Sequence, residues 1–186
     1  MAILKIAKMG HPVLLERAAE IDDPTAPPVQ ALIGDMLETM LDADGLGLAA
    51  PQVHVPQRLV IFHVPNDDGD FDDPRVLINP VITPQSPDLV LGWEGCLSVP
   101  GLRGNVPRYH AIRYTGIDAR GRPVDVVAEG MHARVVQHEC DHLDGRLYPT
   151  RMTDLTDLIF ESEWRHHLRH DQDPSDHDGD EEADVD

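Results

Sequence analysis

Apolar residues recur along this chain with two different periods. Between Thr25 and Gly45, "TAPPVQALIGDMLETMLDADG" places Val29, Leu32, Ile33, Met36, Leu37, Met40 and Leu41 three and four apart. That spacing predicts an amphipathic helix. Its Thr-Ala-Pro-Pro opening suits a helix start and Gly45 a stop, and its methionines read as core packing. "RLVIFHV" (58–64) and "VLINPVI" (76–82) are runs of β-branched and aromatic residues that predict strands. The acidic stretch between them, "PNDDGDFDDP", resembles a calcium ligand run, lacks the later glutamate of an EF-hand, and reads as a solvated turn. "HAIRYTGI" (110–117) and "PVDVVAE" (123–129), joined by "DARGR", predict a hairpin. Helical patterns return at "VVQHECDHLDG" (135–145) and over 153–169. No internal repeat is visible. The pattern predicts an α+β fold: mixed or antiparallel sheets around a central H-E-x-x-H helix, with an N-terminal and a C-terminal helix.

Composition adds a boundary. The chain has 186 residues, 41% hydrophobic and 26% charged, enough for one core and one domain. Its net charge of −19 is unevenly spread, because the last sixteen residues, "DQDPSDHDGDEEADVD", carry nine acids and no Lys or Arg. Residues 1–170 therefore carry −10 and form the expected single catalytic domain, while 171–186 read as a disordered acidic tail. An acidic body argues against broad nucleic-acid binding. No run approaches the ~18 apolar residues of a membrane span. "MAILKIAKMGHPVLL" is broken by Lys5, Lys8 and His11 and lacks a signal-peptide core. With two cysteines, Cys96 and Cys140, and no secretory signal, a disulfide is not expected, and the cytoplasm is the expected location.

The candidate chemistry lies in "VVQHECDHLDG". His138 and His142 fall one helical turn apart on one face, so both can bind one metal ion. Glu139 sits beside them, about 100° round the helix. His166 and His167 have no such arrangement and read as surface groups. A catalytic metal usually takes three protein ligands. A third histidine of the metzincin type is excluded, because Tyr148 stands in its place. Glu161 or Glu163 downstream would serve in a zincin peptidase, and Cys96, between Gly95 and Gly101, could serve from upstream. Cys140 would point away from the metal face.

Three stretches, "GLGLAAPQ" (45–52), "EGCLS" (94–98) and "QHECDHLDG" (137–145), resemble the peptide deformylase family in order and separation, within a likeness over residues 1 to about 165. The resemblance implies removal of the formyl group from N-terminal formylmethionine of nascent polypeptides. It implies Cys96, His138 and His142 as ligands of one divalent metal, Fe²⁺ for preference, with Zn²⁺, Ni²⁺ or Co²⁺ able to substitute. Glu139 would be the general acid/base, with Gln52 and the Leu97 N–H facing the oxyanion. Gly45, Leu46, Gly47 and Gly95 would line the substrate path. On the helix face leading to His138, Met131, Arg134 and Val135 would form the methionine pocket, the Arg134 stem lining it and its head reaching water. Arg103 is expected on the substrate backbone and Glu94 in support of the ligands. Some family members end in a basic helix that docks on the ribosome; here "WRHHLRH" is only mildly basic and runs into the acidic tail, which argues against docking. The rivals are the zincin peptidase and an inactive metal-binding protein of the same fold. An intact Gln52, Cys96 and Glu139 argue against loss of activity.

Overall fold

A computed structural model of the protein describes residues 2–66 and 71–166. The acidic tail, His167, the end of the predicted C-terminal helix and part of the acidic turn lie outside the described residues. Two helices are α1 (Pro27–Asp42) and α2 (Gly130–Leu143). The strands in chain order are β1 (Gly47–Ala49), β2 (Leu59–Phe62), β3 (Arg75–Pro84), β4 (Leu89–Cys96), β5 (Val99–Tyr109), β6 (Ala111–Ile117), β7 (Pro123–Glu129) and β8 (Leu158–Phe160). They form a five-stranded sheet, β1-β2-β3-β6-β7, and a three-stranded sheet, β4-β5-β8, both antiparallel throughout.

α1 opens on Pro27 and Pro28, where a missing N–H leaves nothing unpaired. It buries Val29, Ile33, Met36 and Met40 against β1 and β2, while Leu41 at the end of the stripe is exposed. The Gly45 N–H closes on the Met40 carbonyl at 2.9 Å and turns the chain into β1. The predicted hairpin is β6-β7, with Ala111 opposite Glu129 and Ile117 opposite Pro123.

α2 lies between the sheets, touching β1, β2 and β7 on one side and β5 on the other. Every residue from Val135 to Leu143 is buried. Val136 and Leu143 join Phe62, Leu77, Ile112 and Tyr114 in one core cluster, where Cys140 also packs as a free thiol. A helix enclosed all round must pair its own polar side chains off the helix.

The C-terminal helix expected over 153–169 does not form over 153–163. Residues 155–157 and 161–163 are single 3-10 turns, residues 158–160 make β8, and helical backbone begins only at 164–166. β5 offers an unpaired edge, and Leu102↔Phe160, Arg103↔Ile159 and Gly104↔Leu158 pair along it. A strand partner there outweighs a local helical pattern.

The end of α2 is fixed by a left-handed glycine. Gly145 has φ +69°, with its N–H returning to the His142 carbonyl at 3.3 Å and the Arg146 N–H to Asp141 at 2.9 Å. This is a Schellman closure. A Cβ at Gly145 would also lie 2.5 Å from the Leu15 carbonyl oxygen. Gly145→Ala is therefore expected to cost at least about 2 kcal/mol, from left-handed strain plus a backbone clash. A thermal melt should show a drop of about 5 °C or more; an unchanged midpoint would refute this account of the helix end.

Candidate active site

α2 brings His138 and His142 to one face, with ring centroids 5.2 Å apart. β4 ends at Cys96, where the register with β5 shifts between Gly95 and Cys96. The shift turns the thiol toward the helix. Cys96 Sγ lies 3.4 Å from His142 Nε2. The donor atoms of Cys96, His138 and His142 all fall within 4.8 Å of one another. Ligands of a tetrahedral ion bound at roughly 2.0–2.3 Å stand about 3.5 Å apart, so this set fits one ion. The Ser98 N–H at 3.4 Å and Gln52 Nε2 at 3.6 Å both donate to the sulfur.

Gln52 is buried, and its orientation is fixed. Its Oε1 accepts the Ala49 N–H at 2.8 Å, so its amide NH₂ faces Ser98 Oγ and the Cys96 sulfur. Glu139 is buried against Gly47, whose added Cβ would collide with the carboxylate. Its Oε2 has no hydrogen-bond partner. Burial pushes the Glu139 carboxyl up to about 7, against the attraction of His138. Burial also pushes His142 well down, with the His138 charge adding to the effect.

Glu94 sits on the far side of His138. Its Oε2 takes the His138 Nδ1 hydrogen at 2.8 Å, which leaves Nε2 of that ring to face the cysteine. A carboxylate in this place sets the ring orientation and strengthens the histidine as a ligand. Arg108 donates from Nε and Nη2 to the two Glu94 oxygens, each at 2.9 Å, and from Nη1 to Asp141. Asp141 also holds Arg151. Burial alone would raise the Glu94 carboxyl, but the His138 and Arg108 hydrogen bonds overcome it and bring it down to about 2.

These groups edge a cleft of about 550 Å³. Gln52, Cys96, Leu97, His138 and Glu139 line it, as do Gly45, Leu46, Gly47 and Gly95. Met131, Arg134 and Val135 line it from α2. Met131 is half exposed on the cleft wall. The expectation that the Arg134 head reaches water is overturned. Its side chain is 11% exposed, and the guanidinium is taken up by strand carbonyls and Glu94. Arg103 lies on the cleft wall, where its Nη2 meets Glu161 at 2.6 Å. Glu161 is thus an ion-pair partner of Arg103, and neither it nor Glu163 belongs to the ligand cluster found among the described residues. Arg108, Asp141 and Lys8 were not expected at the site. Their only signal was charge inside or beside apolar stretches.

A cysteine sulfur and two helix histidines converge beside an ionisable glutamate, the arrangement of a metal-centre hydrolase. A polypeptide deformylase family model matches residues 3–157. Peptide deformylase 1 of Bordetella pertussis is 58% identical over 155 residues, covering 81% of this chain and 88% of the relative. Peptide deformylase 1 of Nitrosomonas europaea is 48% identical over 167 residues, covering 85% and 95%. Among solved structures, the Met-Ala-Ser-bound class I type b peptide deformylase of Acinetobacter baumannii aligns with TM-score 0.75 and 37% identity, covering 81% of this chain and 98% of that one. The peptide deformylase of Synechococcus elongatus in complex with actinonin gives TM-score 0.74 and 35% identity, covering 90% and 85%. The chain belongs to the peptide deformylase family. It is a metal-dependent hydrolase that removes the formyl group from N-terminal formylmethionine and releases formate, and the peptidase and inactive-protein alternatives fall away.

The Glu94 geometry has a pH consequence. A carboxyl depressed from 4.5 to about 2 stabilises the fold above pH 4.5, and that stability is lost as pH falls through about 2. Near neutrality, Glu94→Gln should cost metal-free protein about 3 kcal/mol. The gap between wild type and variant should close between pH 4.5 and about 2. Parallel melts across that window check it; a constant gap would contradict the assignment.

Proposed function

We propose that Cys96, His138 and His142 hold one divalent metal ion and that Glu139 carries protons through deformylation. The observation behind this is the convergence of one sulfur and two ring nitrogens within 4.8 Å, beside a buried carboxylate oxygen that lacks a partner. When bound, the ion supplies Lewis acidity that makes water a competent nucleophile at neutral pH.

The chain's own residues account for the rest. Water adds to the formyl carbon, and its proton passes to Glu139, whose buried carboxylate has an oxygen without a partner and can both accept and return it. The Gln52 amide, held by Ala49, and the Leu97 N–H donate to the oxygen that becomes negative. The carbon–nitrogen bond then breaks, Glu139 returns the proton to the departing amine, and formate leaves. The formylmethionine side chain lies against Met131, Val135 and the stem of Arg134. The peptide backbone runs past Gly45, Leu46, Gly47 and Gly95 toward Arg103, which releases Glu161 to meet it. A thiolate with two imidazoles accommodates Fe²⁺, Zn²⁺, Ni²⁺ or Co²⁺, and we take Fe²⁺ as the native ion. Residues 1–170 act as one catalytic domain on nascent polypeptides in the cytoplasm. No helix among the described residues is long and apolar enough to cross a membrane.

Formate release from formyl-Met-Ala by protein purified without oxygen tests the activity directly. Cys96→Ala should lose most bound metal by elemental analysis; full occupancy would remove Cys96 from the ligand set. Glu139→Ala should keep its metal while kcat falls by roughly 10²–10⁴. A metal-loaded variant with near-normal kcat would exclude Glu139 from proton transfer. If iron is native, air should inactivate the iron enzyme faster than its Ni²⁺ form, and equal losses would rule out iron oxidation as the cause.

A further inference from the structure

Arg134 stands one turn before His138, at a position where an apolar side chain would suffice to line the cleft. Its stem does line the cleft, but its guanidinium turns the other way. Nη1 donates to the Val106 carbonyl at 2.8 Å, to Glu94 Oε1 at 2.9 Å and to the Gly92 carbonyl at 3.1 Å. Nη2 donates to the Val90 carbonyl at 2.7 Å. One head group thus ties α2 to β4 and β5. Gly92 makes room for it, since a Cβ there would lie 2.7 Å from the guanidinium carbon.

The consequence concerns Glu94. Arg108 grips both of its oxygens from β5 and reaches α2 through Asp141, on the C-terminal side of His138, so it leaves the N-terminal side of the histidine without a hold. Arg134 and His138 occupy positions i and i+4 of one helix and bind opposite oxygens of the same carboxylate. Glu94 is therefore clamped to one face of α2 at two points a turn apart.

We propose that Arg134 is a positioning residue for deformylation: by clamping Glu94 to α2, it holds His138 in place at the metal centre. This rests on the reading of His138 as a ligand. Without the guanidinium, Oε1 loses its hold on α2, and the two Arg108 bonds from β5 alone set the direction in which Oε2 meets the His138 ring. Loss of a group that orients a ligand typically costs 10–100-fold in metal affinity or activity.

Three variants isolate this role. Arg134→Met keeps the stem and removes the head. Gly92→Ala displaces the head from the strand side without altering α2. Arg134→Lys keeps the charge but cannot reach all the acceptors. Each is loaded with Co²⁺, and metal release to a chelator is followed in the absence of substrate. Steady-state kinetics with formyl-Met-Ala follow on the same preparations. We expect Arg134→Met and Gly92→Ala to release cobalt about tenfold or more faster than wild type and to lose kcat to a similar degree. KM should stay within about twofold, and Arg134→Lys should fall between. Wild-type release and kcat in folded Arg134→Met would overturn the proposal. So would a raised KM with unchanged release, which would make Arg134 a substrate-binding residue. If Arg134→Met fails to fold, Gly92→Ala decides by the same criteria. His138→Ala separates the layers. If it keeps cobalt as tightly as wild type, the ligand assignment fails and takes this inference with it. If it loses cobalt while the Arg134 and Gly92 variants do not, this inference fails alone.

Discussion

One buried carboxylate organises this structure. Glu94 accepts hydrogen bonds from His138, Arg108 and Arg134, and those partners come from α2 and β5 while Glu94 itself comes from β4. A charge removed from water is tolerable only when its partners are present and well aimed. That requirement fixes how the three-stranded sheet sits on α2. The pairing then continues outward, because Arg108 also binds Asp141 and Asp141 binds Arg151 beyond the helix. Charges alternate along the chain of contacts, and losing one member strands its neighbour. The network that orients the site is thus the same one that joins the sheet to the helix.

Two buried carboxylates therefore end up with opposite properties. Glu94 is surrounded by donors and stays ionised, with its carboxyl near 2. Glu139, next to His138 in the chain, has fewer compensating partners, and burial lifts it to about 7. The difference comes from the surroundings, since both are glutamates in the same core. His138 thus stands between a fixed anion and a carboxyl whose charge is easily lost. Gly47 packs against Glu139. Any side chain there would displace the Glu139 carboxylate, so the glycine of "GLGLAAPQ" sets where that carboxylate sits.

The parts of the fold that were legible in the sequence are those with a clean local period. α1, β2, β3 and the β6-β7 hairpin each followed from spacing and turn residues. β4 and β5 did not, because Gly92, Gly95, Pro100, Gly101, Gly104 and Pro107 interrupt any strand pattern. Two of those interruptions have spatial causes. Gly92 admits the Arg134 guanidinium, and Gly104 admits Tyr148 and Met152. The C-terminal error has the same root: residues 158–160 are strand because β5 is beside them, which no local window shows. At the site, the two histidines and Glu139 were readable from i and i+4 spacing, whereas Cys96 needed family likeness. The Arg108–Asp141 pair, 33 residues apart, left no trace in either.

α2 shows why such a polar helix can stand in a core. Gln137 pairs with both the N–H and the carbonyl of Tyr109, His138 pairs with Glu94, and Asp141 pairs with two arginines. Each polar side chain aimed at a sheet has found its complement there. The buried side-chain polar atoms without a partner among the described residues are Glu139 Oε2, His142 Nδ1 and the Tyr148 hydroxyl. They are not scattered. Glu139 and His142 follow His138 within one turn of the helix, and the Tyr148 ring stacks on His138 at 6.2 Å between centroids. Elsewhere among the described residues, buried side-chain polar atoms have partners, as stability demands. Around His138 folding has left hydrogen-bonding capacity unused, and of these three residues Glu139 alone lines the cleft.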